Sequence, residues 1–145
     1  MQPQAVVEIM GGSAAVHASV RGLADLREEI ARGLRVAALH NTAEHVFTDP
    51  AARRRFLYRI VPEGSYKRRV KTGRLTPAES ERTARVAHVV ALAEYVWDDP
   101  EAAREFLITP HPELGDRPPI EVAVDEFGAR HVEEILHGIL HGLPA

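Results

Sequence analysis

The stretch Thr76-Pro77-Ala78-Glu79 constrains the fold more than any other part of the chain. A threonine hydroxyl accepts from an orphan amide at a helix start, proline tolerates the first helical position, and a glutamate three residues on reaches back to the cap amide. This spacing predicts a long helix over 77–97. Val86, Val90, Ala93 and Trp97 make one apolar stripe along it, and Val89, Leu92 and Val96 make another. A helix that is apolar around much of its girth cannot lie on a surface, so other elements must pack on several of its sides. The expected fold is all-α, with 77–97 as the central core helix.

The remaining elements follow from periodicity and punctuation. Val20, Leu23, Leu26, Ile30 and Leu34, then Val36, His40, Ala43 and Phe47, recur at helical spacing over 20–47, with Gly33 as the break. Asp49-Pro50 and Asp99-Pro100 each read as an N-cap followed by a first helical residue, which predicts short helices over 50–59 and 100–108. Pro62 restarts the chain into a helix over 63–72, closed by Gly73. Residues 109–119 hold four prolines and Gly115 and read as an ordered loop. Residues 120–124 fit one helical turn or a short strand equally well. Asp125 caps a last helix whose stripe is Val132, Ile135, Leu136, Ile139 and Leu143, while 5–10 has the apolar character of a short pairing strand. Residues 45–57 and 95–107 match at seven of thirteen positions, which reads as one local device used twice: an aromatic helix end, an Asp-Pro restart and a short amphipathic helix.

Charge is distributed unevenly. Residues 49–74 carry nine bases against two acids, and 98–145 carry eleven acids against three bases, within a chain of net charge −3. Such asymmetry points to two partners, one of them a polyanion. The chain has no cysteine, which excludes disulfides, thiolate metal sites and cysteine nucleophiles. Its start lacks the basic and apolar regions of a signal peptide, and no apolar run approaches the roughly 20 residues of a membrane span, so a cytoplasmic protein without membrane contact is expected.

Chemistry of a catalytic kind finds no footing in the residue pattern. Glu134 and His137 have the spacing of half a di-iron site with no second half, and His137 and His141 lack the glutamate of a zinc-protease motif. None of the four serines lies in a nucleophile elbow. No enzyme activity, metal or cofactor is expected. The two short helices at 50–59 and 63–72 instead read as a helix-turn-helix whose second helix presents Ser65, Tyr66, Lys67, Arg68, Arg69 and Lys71. Arginine and lysine reach phosphates or guanine edges there, and the hydroxyls position on the backbone.

From Thr76 onward the chain resembles the toxin-binding domain of the Xre/MbcA/ParS antitoxins, partners of RES-type toxins. The resemblance rests on TPAESERTARVAHVVALAEYVW, DDPEAAREFL, TPHPELGDRPPIEVA and EFGARHVEEILHGILHG taken in that order. Upstream, GSYKRRVKTGRL is similar to the end of that family's helix-turn-helix region, with Gly64-Ser65-Tyr66 in place of an Arg-Thr-Leu stretch. Arg68, Arg69, Gly73 and Leu75 carry over directly. The resemblance implies an Xre-like region over 1–75 and a toxin-binding domain over 76–145. It also implies an antitoxin that blocks the active site of a RES-type, NAD-consuming toxin, represses its own operon by binding operator DNA, and acts as a homodimer within the complex. Toxin contact is expected at Arg130, Glu133, Glu134, His137, His141, Gly142, Leu143, Pro144 and Ala145. The alternative is a stand-alone helix-turn-helix regulator whose C-terminal part dimerises.

Overall fold

The computed structural model describes residues 2–16 and 20–142 and contains nine α-helices among them. They are α1 (Pro3–Ile9), α2 (Leu23–Arg32), α3 (Val36–Val46), α4 (Pro50–Ile60), α5 (Glu63–Thr72), α6 (Pro77–Trp97), α7 (Pro100–Ile108), α8 (Pro119–Val122) and α9 (Glu126–Leu140). Extended pairing among the described residues is confined to two isolated bridges, Arg35 with Arg74 and His111 with Arg117. The all-α expectation holds.

The strand expected over 5–10 is instead most of α1. Pro3 sits at its first turn, and Val6, Ile9 and Met10, spaced three and four apart, are all buried. That spacing puts the three on one helical face, whereas a strand would turn Val6 and Ile9 to opposite sides. The ambiguous 120–124 resolves as the single helical turn α8, entered through Pro118 and Pro119. The loop before it is ordered by a 3-10 turn at Pro112–Leu114 and by the His111–Arg117 bridge.

Helix α6 is the hub. Thr76 and Glu79 form the reciprocal capping box, and Val86, Val89, Val90 and Ala93 are buried among α1, α2, α3, α4, α7, α8 and α9. Each fully buried valine contributes about 1.5–3 kcal/mol relative to exposure, so this one helix supplies a large part of the apolar driving force. The aspartate caps work as the residues suggest: Asp49 accepts from Ala52 N at 3.1 Å, Asp99 from Glu101 N at 3.1 Å, and Asp125 from Gly128 N at 2.6 Å. The two matching segments build the same aromatic contact, Phe47 on Phe56 with centroids 5.5 Å apart and Trp97 on Phe106 at 6.0 Å.

Gly33 breaks α2 from α3 with φ +94, and a Cβ there would lie 2.4 Å from the Leu75 carbonyl oxygen. The close approach lets residues 33–36 stitch to 73–75. Leu75 N donates to the Leu34 carbonyl at 2.8 Å, Val36 N to the Gly73 carbonyl at 3.0 Å, and Leu34 N to the buried Ser80 hydroxyl at 2.7 Å. The exit of α5 is thereby pinned to both α3 and α6.

Candidate functional site

Two faces lie on this frame. The first is α4–α5. Only Val61 and Pro62 separate the helices; Val61 is fully buried, and the Pro62 carbonyl accepts from Ser65 N and Tyr66 N. Helix α5 has no buried residue, in keeping with an element held at its ends and presented outward. Lys67, Arg68 and Lys71 are exposed and share a side of it by their spacing of three and four. Glu63, one turn before Lys67, is also exposed and is the one acid on α5.

The other three residues expected on this face are turned to different work. Arg69 donates from Nε to Glu79 Oε1 at 2.7 Å, and the same oxygen accepts from Thr76 N at 2.9 Å. Burial pushes the Glu79 carboxyl up, but the bonds from Arg69 and Thr76 outweigh it and hold the group below the usual carboxylate range. Arg69 thus ties α5 to the start of α6. Tyr66 is half-buried, its hydroxyl shares a hydrogen bond with His40 Nε2, and its ring meets Tyr58 edge-on at 5.7 Å. Burial lowers the His40 pKa below the ordinary histidine value, with Glu44 pulling the other way, so His40 is the neutral partner the phenol needs. Ser65 accepts from Arg68 Nη2 at 3.3 Å and steadies that side chain. The exposed Arg54, Arg55 and Arg59 of α4 were counted in the basic segment but assigned no role by residue pattern. Their position one helix before α5 was the available signal.

The second face is α9 with the end of α6. Contacts of Arg85 with the Val124 carbonyl and of His88 with Glu133 show the two helices running in the same direction. Arg130, Glu134, His137, His141 and Gly142 are exposed, and Glu133 is half-buried, 3.2 Å from His88. Arg130 pairs with Glu126 at 3.4 Å and lies 5.6 Å over the Phe127 ring. Burial drives the His88 pKa down while Glu133 opposes it. Leu143, Pro144 and Ala145 lie outside the described residues. Beside α9 runs a groove of about 480 Å³, lined by Ala5, His88, Leu92, Tyr95, Glu133 and His137. Pattern reading missed two large exposed side chains here, Phe127 at 75% and Tyr95 at 66% exposure. Each falls off the apolar stripes of its helix, so neither is called for by the core.

Among the described residues no three histidines, aspartates or glutamates gather as a metal site, and no helix is long and apolar enough to cross a membrane. Both faces present exposed charge on fixed helices, and the second adds the exposed aromatics Tyr95 and Phe127. No curated protein was found that matches the chain. Two family models do. The one described as the antitoxin Xre-like helix-turn-helix domain matches residues 25–88, which carry most of α2, α3 to α5 and most of α6. The one described as the antitoxin Xre/MbcA/ParS C-terminal toxin-binding domain matches residues 92–142, which carry the end of α6 and α7 to α9. With the two domains in that order on one shared core helix, the chain belongs to the Xre-type antitoxins.

Proposed function

We propose that this antitoxin neutralises a RES-type toxin by occluding its NAD-binding active site and represses its own operon through α4–α5. The observation that carries the reading is the separation of two faces of opposite charge, each left open and each within a span of matching function. Residues 1–75 then serve the operator and 76–145 the toxin, with α6 common to both. Lys67, Arg68 and Lys71 contact DNA, while Ser65, Tyr66 and Arg69 hold them in place. Tyr95 and Phe127 anchor the toxin, with Arg130, Glu134, His137 and His141 around them and 142–145 entering the pocket; Glu133 acts through His88. An enzyme denied its substrate needs no chemistry from its inhibitor, so the antitoxin requires no cofactor. It works in the cytoplasm as a homodimer within the complex.

The test is a chain truncated after His141, compared with the full chain for inhibition of NAD consumption by a RES-type toxin encoded beside it. Helix α9 ends at Leu140, so the cut spares every described helix. The truncated chain is expected to bind the toxin and inhibit it poorly. Full inhibition by the truncated chain would sink tail occlusion, and failure of the full chain to bind the toxin at all would sink the RES pairing.

A further inference from the structure

Arg35 and Arg74 face each other in an antiparallel bridge. The hydrogen bonds that frame it run from Val36 N to the Gly73 carbonyl and from Leu75 N to the Leu34 carbonyl, at 3.0 and 2.8 Å. The two arginines are therefore the non-hydrogen-bonded pair, the kind whose side chains lie closest. Two cations placed there repel each other. Neither has a carboxylate partner among the described residues: Arg35 Nη1 donates to the Ala14 carbonyl at 3.4 Å, and Arg74 Nη1 to the Gly33 carbonyl at 2.9 Å. Both residues are exposed and line one small cavity of about 100 Å³. Arg32 lines it too, but pairs with Glu28 and Glu29, the latter being the one acid in the cavity wall. The positive end of α3 adds to the same field, because Arg35 caps that helix without a side-chain acceptor.

A like-charged pair fixed by backbone bonds and left unneutralised is stabilised when an anion arrives. Its place narrows the choice of anion, since Arg74 directly follows Gly73, the C-cap of α5. We propose that Arg35 and Arg74 clamp one phosphate of the DNA backbone and so set the register of α5 on the duplex. The guanidinium fork suits a phosphate diester, and the contact carries no base information. This inference rests on the DNA-binding reading above.

The test measures affinity for a random-sequence DNA duplex against salt, for the wild type, R35Q/R74Q and R68Q/K71Q. Each lost phosphate contact should reduce the slope of log K against log salt by about 0.9. A reduced slope in R35Q/R74Q, with R35K/R74K keeping the wild-type slope, is the expected result. If only R68Q/K71Q lowers the slope, the clamp is refuted and DNA binding by α5 stands. If the wild type binds no duplex at any salt, the DNA-binding reading itself fails. Inorganic phosphate is the other source of the same chemistry. A melting temperature that phosphate raises in the wild type and not in R35Q/R74Q, with unchanged DNA slopes, would make this a free-anion site and overturn the proposal. Should the double variant not fold, R35Q alone gives the same reading, because its described side-chain bond is the long one to Ala14.

Discussion

Gly128→Ala sets two effects of opposite sign against each other. Gly128 lies in the first turn of α9, and in an open helix the change to alanine stabilises by up to about 1 kcal/mol. Here a Cβ would stand 2.0 Å from the Val122 carbonyl oxygen, 2.8 Å from Val122 Cγ1 and 2.9 Å from the Val122 carbonyl carbon. An ordinary contact needs about 3.4 Å, so the backbone of α8 would have to retreat by more than an ångström, and α8 is packed against α6, α7 and α9. Overpacking of this kind costs about 1–3 kcal/mol and here exceeds the propensity gain, leaving a net loss of about 1–2 kcal/mol. For a chain of this size the melting temperature should fall by about 2–8 °C. Gly64→Ala is the control: it too is helical, in α5, and a Cβ there meets nothing within 4 Å. It should leave the protein as stable as the wild type or slightly more so. Thermal melts followed by circular dichroism decide the matter. A G128A protein that melts at or above the wild-type temperature would refute the close approach of α8 and α9.

Two further outcomes follow from burial. Val90 is 1% exposed at the centre of α6, so Val90→Asp loses its apolar contacts and places a carboxylate without a partner in the core. A loss of more than about 4 kcal/mol is expected, a large share of the stability of an ordinary domain, and a melting curve like that of the wild type would mean that α6 is not the core element. His40 has a depressed pKa from burial, so its neutral form is the one the fold favours. Its contribution is complete above the ordinary histidine value of about 6.5 and declines as pH falls below it, because the unfolded chain then binds the proton more readily. His88 is depressed in the same sense. Stability measured by denaturant titration should therefore fall from pH 6.5 towards 5, and His40→Gln should flatten part of that slope. Equal slopes in the two proteins would show that His40 is not held neutral.

The helices were legible because their ends are written in local chemistry. The capping box at Thr76, the Asp-Pro starts at 49 and 99, and Gly73 at a left-handed C-cap each act over three or four residues, and periodicity filled in the spans between. Helix α1 escaped because a short apolar run is compatible with either period, and the burial of Val6, Ile9 and Met10 on one side is decided by α6, far along the chain. The candidate faces divide in the same way. Lys67, Arg68 and Lys71 were legible as bases on a short helix, and they lie exposed. Tyr66 and Arg69 carry the same local signature, but their partners His40 and Glu79 stand 26 and 10 residues away. Glu79 was legible as a cap; that one carboxylate also neutralises Arg69 follows from the packing of α5 on α6. The Arg35–Arg74 pairing, set by a bridge between separate segments, has no local signature at all.

The charge asymmetry survives folding, and this is what gives the two faces separate fields. The described ion pairs are mostly within one helix turn: Arg32 with Glu28 and Glu29, Arg85 with Glu81, Arg104 with Glu101, and Arg130 with Glu126. Those that join helices are Arg69 with Glu79, His45 with Glu94 and His88 with Glu133. None of them connects the basic residues of 49–74 to the acidic residues of 98–142. Where the two segments do touch, Arg59 donates to the backbone carbonyl of Glu121 and leaves the carboxylate out of the contact. Charges that do not cancel one another within the fold project outward, over a Debye length of about 8–10 Å at ordinary ionic strength. Helix α6 packs against α1, α2, α3 and α4 and also against α7, α8 and α9, so both matched spans share one core helix. Under the proposed function, a polyanion drawn to α4–α5 and a protein seated on α9 would therefore meet one fold through different fields, and neither would need the other face to be vacated.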